Sequence, residues 1–469
     1  MSQPAIKADN NATLISTNPA KGYEVLGEVE ISTEAEIRGK VEWARTVQKS
    51  WYAMGLDKRI QAMRAFHAHL EKHKDEFLKR QSTEMGMPLG LSTSILDGFL
   101  ADMTWNIDHA KEYLATKTLH EDDNEITELV REPYGVLACI AAWNFPFGNL
   151  VVSLSQALLA GNTAVMKYSE EVPLFSKYVE EVVASSDLPE GVINFVHGDG
   201  QVGSLLADQD IDFLTFTGSS ATGQKLYQKA ASKLIPISLE LGGSSPGIVF
   251  ENCTIDDALI DTLFWKRFLN SAQFCDGMKR LIVHNSLFDQ IVEKLSAYAE
   301  TKVIGDPLDE KTELGPLVAE RQVVKLEEQI KDALDKGAKL HCGGKRPQGL
   351  SGAFYEPTIL TNITKDMRVW KEEVFGPALP IVGFDTYEEA IELANDTEYG
   401  LSGSVFTNDS NLARKAQLDI KAGSLNHNQA HYFRSQNPFG GYKKSGIGRQ
   451  QGQAGFDEAT QMKVIAREK

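Results

Sequence analysis

Between Thr33 and Gln81 apolar residues recur at three- and four-residue spacing (Ile37, Val41, Ala44, Val47, then Ile60, Met63, Phe66, Leu70), which places them on one face of successive helices. A further helical stretch runs from Leu91 to Ala115. From Lys117 to Arg131 two short strand-like runs flank the polar turn Glu121-Asp122-Asp123-Asn124-Glu125, a projecting hairpin better suited to subunit contact than to a core. Residues up to about Thr17 read as an extended arm, closed by a turn at Asn18-Pro19.

From Val136 the period changes. Continuously apolar runs at Val136 to Ile140, Thr163 to Met166, Val192 to Val196, Phe213 to Phe216 and Ile237 to Leu241 predict strands. The stretches Leu150 to Ala160, Leu174 to Ala184, the one from Val202, and Thr222 to Lys233 predict the helices between them. Strands apolar on both sides must be covered on both sides, so the expected fold class is α/β, a doubly wound parallel sheet of the nucleotide-binding kind. After Gly242-Gly243 the alternation restarts, with helices at Asp257 to Phe268, Phe288 to Ala299, Ala319 to Lys336 and Tyr387 to Ala394, and strands at Leu281 to Val283, Ala378 to Val382 and Ser404 to Phe406. This predicts a second α/β domain, with the glycine pair as the joint and the ligand in the cleft between.

A chain of 469 residues exceeds one hydrophobic core and agrees with two or three domains. Its net charge of -17, from Lys+Arg 48 against Asp+Glu 65, argues against nucleic-acid and anionic-membrane partners. Four scattered cysteines (Cys139, Cys253, Cys275, Cys342) suggest neither a disulfide frame nor a zinc site, so no metal is expected. Met1 to Asn11 is polar, no run reaches membrane-spanning length, and the expected location is the cytoplasm.

Candidate chemistry lies where predicted strands end. Gly198-Asp199-Gly200-Gln201-Val202-Gly203 fits the dinucleotide pattern G-x-G-x-x-G, and the turn Phe216-Thr217-Gly218-Ser219-Ser220-Ala221-Thr222-Gly223 competes with it, offering N–H groups and hydroxyls to a phosphate at a helix start. Lys167-Tyr168-Ser169-Glu170 ends another strand, where an ammonium and a carboxylate reach ribose hydroxyls, although a charged strand end is often just a solvated turn. Asn144 and Glu240 each end a strand, and each alone reads as a turn residue or a solvated acid. Cys275, after the apolar helix Ile255 to Phe268, reads by itself as a buried small hydrophobe. Together the three make a reaction set of thiolate nucleophile, oxyanion donor and carboxylate base.

These segments, in this order and spacing, resemble the aldehyde dehydrogenase superfamily, through Glu372-Glu373-Val374-Phe375-Gly376-Pro377 to Asn437-Pro438-Phe439-Gly440-Gly441-Tyr442-Lys443-Lys444-Ser445-Gly446. The resemblance implies Cys275 as nucleophile, Glu240 as general base, and Asn144 with the Cys275 N–H as oxyanion hole. It implies NAD, with NADP possible, at Ala142, Trp143 and Leu241, at Lys167, Ser169 and Glu170 on the adenosine ribose, at Gly218, Ser219 and Gly223 near the pyrophosphate, and at Glu373 and Phe375 on the nicotinamide ribose. The Gly198 turn is then not the main phosphate loop. An aldehyde tunnel is implied at Phe145, Asn149, Val152, Leu269, Phe274, Phe433 and Phe439. The implied division is 1–115 with 134–241 for the cofactor, 242–454 for catalysis, and 116–133 with 455–469 for assembly into a homodimer or homotetramer. The short chain is similar to bacterial succinate-semialdehyde dehydrogenases, but Val152 and Leu269 stand where some of those enzymes carry arginine; Arg434 reads first as a surface residue and second as their substitute, so succinate semialdehyde stands as a candidate beside medium aliphatic or aromatic aldehydes.

The chemistry asks for these residue types independently. A thiolate adds to the aldehyde, two N–H donors hold the oxyanion, and a base activates the water that releases the acid. A thiol near pKa ~8.5 needs a nearby base or positive dipole to ionise usefully. Glu170 favours NAD by repelling a 2′-phosphate. Ala272 stands where the family has Gly, so the loop is expected to avoid positive φ. Asp276 opposes ionisation if it faces the sulfur, and Tyr168 replaces a common Pro. Two other classes stay open: a binding or structural protein that lost turnover, and a cofactor-free thioester-type esterase.

Overall fold

The computed structural model describes residues 12–430 and 434–469; Phe433 and Met1 to Asn11 lie outside them. The first sheet has the spatial order Gly446–Ile447, Ile237–Glu240, Phe213–Thr217, Val136–Ile140, Thr163–Lys167, Ile193–Val196, parallel except for Gly446–Ile447. From Val136–Ile140 the chain builds outward on one side, then returns to build on the other. The order therefore reverses between Val136–Ile140 and Phe213–Thr217, the crevice where open α/β sheets bind ligands. Alternation along a strand supplies two cores: Leu137 and Cys139 enter one, with the helices Leu56–Lys72, Leu89–Tyr113 and Pro146–Ala160, while Val136, Ala138 and Ile140 enter the other.

The second sheet runs Lys339–Cys342, Thr358–Thr361, Ala378–Phe384, Met278–His284, Ser245–Val249, Ser402–Phe406, Ser424–His427, parallel except at its first strand. Four of these strands escape the apolar-run criterion. Ser245–Val249 carries Pro246 and Gly247, Lys339–Cys342 and Ser424–His427 are polar sheet edges, and Thr358–Thr361 is very short.

The expected N-terminal arm is instead half of an antiparallel ribbon, Thr13–Asn18 against Glu24–Glu30. The turn at Asn18-Pro19 closes it, so the arm's backbone groups are paired. The hairpin Lys117–Glu121 with Glu125–Pro133 gains a third strand, Thr460–Glu468, paired along the full length of Glu125–Pro133. Residues 434–454, grouped above with the second domain, turn back to the first: Gly446–Ile447 joins its sheet, Ser435 Oγ donates to Asp102, and Gln156 Nε2 donates to Gly452 O at 2.9 Å. Such long-range pairings leave no periodicity to read. No described helix is long and apolar enough to cross a membrane, and among the described residues no group of three or more His, Cys, Asp or Glu is placed to hold a metal ion.

Candidate active site

The helix Asp257–Phe268 ends in a tight turn, Leu269–Ala272, that delivers Cys275. Asn270 (φ 50°, ψ 40°), Ser271 (φ 51°, ψ 36°) and Ala272 (φ 63°) are all left-handed, so the expectation that Ala272 avoids positive φ is wrong. The surroundings hold the turn there. Ser271 Oγ donates to Gly315 O at 2.6 Å; Gln273 Nε2 donates to Asn270 O and Pro316 O at 3.2 Å, and Gln273 Oε1 accepts from Val318 N at 2.8 Å. Phe274 and Asp276 are buried while Cys275 between them is half-buried. Asn144 Nδ2 donates to Gln273 O at 3.0 Å, which ties the switch-point loop to the cysteine loop. One amide hydrogen of Asn144 is spent there and the second is left for an oxyanion.

The Asp276 carboxylate pairs with the fully buried Lys266 at 3.1 Å, which offsets its charge. Burial is the main cause pushing the Cys275 thiol up, with Asp276 adding to it, Lys279 opposing, and Glu240 and Glu373 adding further. Ionisation at rest is thus disfavoured, so the thiol needs the nearby base that the chemistry asks for. Glu240 ends the strand Ile237–Glu240 with both carboxyl oxygens buried and without hydrogen-bond partners. Burial raises it well above the ordinary carboxyl range, against the pull of Arg449. A carboxyl with no donor around it holds its proton and is poised to exchange it.

On the crevice side, Trp143 meets the Phe375 ring edge-on at 5.5 Å, and the Lys279 ammonium lies 4.9 Å from the same ring. Glu373 Oε1 accepts from Gly243 N at 3.0 Å and lies 3.8 Å from Lys279. A Cβ on Gly243 would collide with the Cys275 backbone carbonyl oxygen, which explains a glycine at the joint. Arg267, buried, donates to Ala378 O, Val374 O and Gly376 O and so holds the Phe375 loop. Ser445 fastens the joint by donating to Gly242 O at 2.7 Å while accepting from Gly400 N at 2.9 Å. The sequence assigns no role to Lys279, Arg267, Gln273 or Ser445; each reads as an ordinary polar residue until long-range contacts place it.

At the neighbouring strand end, Lys167 Nζ lies 3.4 Å and Ser169 Oγ 3.5 Å from Glu170 Oε2. Burial pushes the Glu170 carboxyl up, but Lys167 and Arg321 outweigh it and hold it below the usual range. Ser219 caps the helix Ser220–Lys233 by accepting from Thr222 N, beside the switch point. A Cβ on Gly218 would press on the Phe216 ring and one on Gly223 on the Leu241 side chain, so a larger residue at either would move its neighbour. The Gly198 turn follows the edge strand Ile193–Val196, away from the switch point, and its Asp199 caps its own helix by accepting from Gln201 N. The residues present fit a dinucleotide: a buried ammonium whose acceptor is a single long contact, next to an accessible helix N-terminus. Ala142 is half-buried at the same crevice, and Tyr168 is buried edge-on against Phe175 at 5.9 Å.

A cavity of about 200 Å³ lies behind the nucleophile loop, lined among others by Asp276, Ser402, Asn426, Arg434, Asn437 and Phe439. Of the tunnel residues, Phe439 lines it, while Val152 lines a separate, smaller cavity with Arg449. Asn149 turns its amide inward to Ala142 O (3.0 Å) and Phe145 O (3.1 Å), shaping the switch-point loop. Phe274 is buried under Lys279, and Phe145 packs edge-on against Phe99 at 6.5 Å with Leu269 half-buried.

Known proteins are similar to this chain over nearly its whole length. A sequence model of the aldehyde dehydrogenase family matches residues 6–465. The peroxisomal aminoaldehyde dehydrogenase 1 of Pisum sativum is 37% identical over 468 residues, covering 97% of this chain and 93% of that protein. The 3-sulfolactaldehyde dehydrogenase of Priestia aryabhattai is 33% identical over 445 residues, covering 93% and 91%. Among solved structures, a Mycobacterium tuberculosis aldehyde dehydrogenase complexed with NAD+ superposes with a TM-score of 0.93 at 35% identity, covering 99% of this chain and 95% of that one.

Proposed function

The chain belongs to the aldehyde dehydrogenase family, and from that premise we propose that it oxidises a small aldehyde to the carboxylic acid through Cys275, with NAD as the preferred acceptor and NADP tolerated. The observation that carries this is the bond from Asn144 Nδ2 to Gln273 O, which brings an oxyanion donor from the cofactor domain to the loop that presents the thiol.

Glu240, the buried unpartnered carboxyl nearby, takes up the Cys275 proton once it has itself ionised, and the sulfur adds to the carbonyl carbon. The second Asn144 hydrogen and the Cys275 N–H hold the oxyanion of the thiohemiacetal. The nicotinamide, when bound, supplies the hydride acceptor. With a dinucleotide bound, Trp143, Phe375, Glu373 and Lys279 would hold its nicotinamide end, Ser219 with the Ser220–Lys233 N-terminus its pyrophosphate, and Lys167 with Glu170 its adenosine ribose. After passing that proton on to solvent, Glu240 activates the water that hydrolyses the thioester on Cys275, which favours an acid over a coenzyme A ester. Cys275→Ser is expected to abolish aldehyde-dependent NADH formation while the protein remains folded; undiminished oxidation by that variant overturns the reading.

The substrate is read from the cavity. Arg434 is the cation on its wall, next to the nucleophile loop, while Lys266 offsets Asp276. This favours an aldehyde with an anionic tail, with succinate semialdehyde as the candidate, over an aliphatic or cationic one. Arg434→Ala should lower kcat/KM for succinate semialdehyde about tenfold more than for butanal; equal losses, or a wild-type preference for butanal, count against it. The sheet formed by Lys117–Glu121, Glu125–Pro133 and Thr460–Glu468 is proposed as the subunit contact of a homodimer or homotetramer, in the cytoplasm.

A further inference from the structure

The groups around the proposed ribose site come from both domains. Lys167, Ser169 and Glu170 end a strand of the first sheet. Arg321 is the second residue of Glu320–Asp335, a helix whose buried face (Val323, Leu326, Ile330) packs in the second domain with Ala378. Across the cleft, Arg321 Nη2 lies 3.9 Å from Glu170 Oε1 and in direct contact with Glu171 Oε1. The other oxygen, Glu170 Oε2, faces the Lys167 ammonium at 3.4 Å. Glu170 is therefore held between two cations, one in each domain. They differ in burial: the Lys167 side chain is 4% exposed, whereas that of Arg321 is 49% exposed and open to an arriving ligand.

Glu170 alone would accept both ribose hydroxyls and reject a 2′-phosphate. The second cation alters that balance. A dianionic phosphate arriving here meets two cations against one firmly ionised carboxylate. The remaining acid, Glu171, is a weak competitor for Arg321, because burial pushes its carboxyl up to about 7 against the opposing pull of the guanidinium. A guanidinium also matches phosphate geometry with two parallel hydrogen bonds, which the ammonium cannot do.

We propose that Arg321 reads the 2′ position of the adenosine ribose, exchanging its ion pair with Glu171 for a 2′-phosphate, so that NADP is accepted beside NAD. The inference rests on the assignment of Lys167, Ser169 and Glu170 to that ribose. In Arg321→Gln the NADP-to-NAD ratio of kcat/KM is expected to fall about tenfold or more. Calorimetric affinity for adenosine 2′,5′-bisphosphate should fall by a similar factor relative to 5′-AMP. Glu171→Gln, which keeps the shape and removes the competing charge, should raise the same ratio. An unchanged ratio in Arg321→Gln, or an unchanged or lower one in Glu171→Gln, overturns the proposal. Lys167→Ala separates it from its premise: undiminished 5′-AMP affinity there overturns the ribose assignment, whereas loss of 5′-AMP affinity with an unaltered Arg321→Gln ratio overturns only the role of Arg321.

Discussion

Ala272 holds a left-handed conformation in which an L-residue's Cβ crowds the next carbonyl, at a cost of roughly 1–2 kcal/mol. With Asn270 and Ser271 it forms a short strained run that aims Cys275 out of a buried segment, and Gln273 secures the run with three hydrogen bonds. Ala272→Gly relieves the crowding but frees the unfolded chain by about 0.5–1 kcal/mol. A small net stabilisation is expected, read as a higher urea midpoint at unchanged m; a lower midpoint would show that the run is relaxed. The raised Cys275 and Glu240 set the pH dependence. Each must lose its proton to act, so alkylation of Cys275 by iodoacetamide should accelerate as pH rises into the alkaline range. Glu240→Gln should lower steady-state turnover by roughly 10²–10⁴ while that alkylation continues. If alkylation is fastest at acidic pH, the sulfur is not held protonated by burial.

Among the elements, the helix Pro173–Ala184 has no side-chain cap of its own at Val172. Glu84, from the helix Lys74–Met85, supplies one: its carboxylate accepts from Leu174 N at 2.8 Å, Phe175 N at 2.7 Å and Ser16 Oγ at 2.5 Å. One buried acid so joins the N-terminal ribbon, a first-domain helix and the helix that follows the ribose strand. Burial pushes Glu84 up to about 7, outweighing those three bonds. An acid raised on folding contributes stability that is present below its unfolded pKa and lost as pH rises through the folded one. Glu84 should therefore give falling stability between about pH 4.5 and 7, and Glu84→Gln should flatten that part of a urea-unfolding series; an unflattened series means Glu84 is ionised throughout. In the three-stranded sheet, Met462 and Val464 are exposed on one face, 66% and 60%. Val464→Asp is expected to shift the protein to a smaller species in light scattering, and an unchanged mass would place the subunit contact elsewhere.

At the scale of the whole molecule, two parallel sheets meet at residues 241–244, and the candidate site occupies the seam because both sheets end there. The strands of the first sheet were legible because each is apolar on both faces, and the long helices because their buried positions keep a 3.6-residue period. Cys275, Glu240 and Asn144 were legible as types at strand and helix ends. Polar edge strands such as Ser424–His427 were not, since pairing rather than side-chain pattern makes them strands. The return of 434–454 to the first sheet was not either, because nothing local encodes a partner hundreds of residues away. Local pattern by itself determined the α/β class, the order of the elements and the chemical kinds of group available, since these depend on periodicity and residue type. Only the tertiary structure decided that Asp276 is answered by Lys266, that Ala272 is left-handed, that the Cys275 and Glu240 protons are held in place, and that Arg321 reaches Glu170. Burial, charge compensation and backbone strain belong to neighbours in space, and those neighbours are distant in the chain.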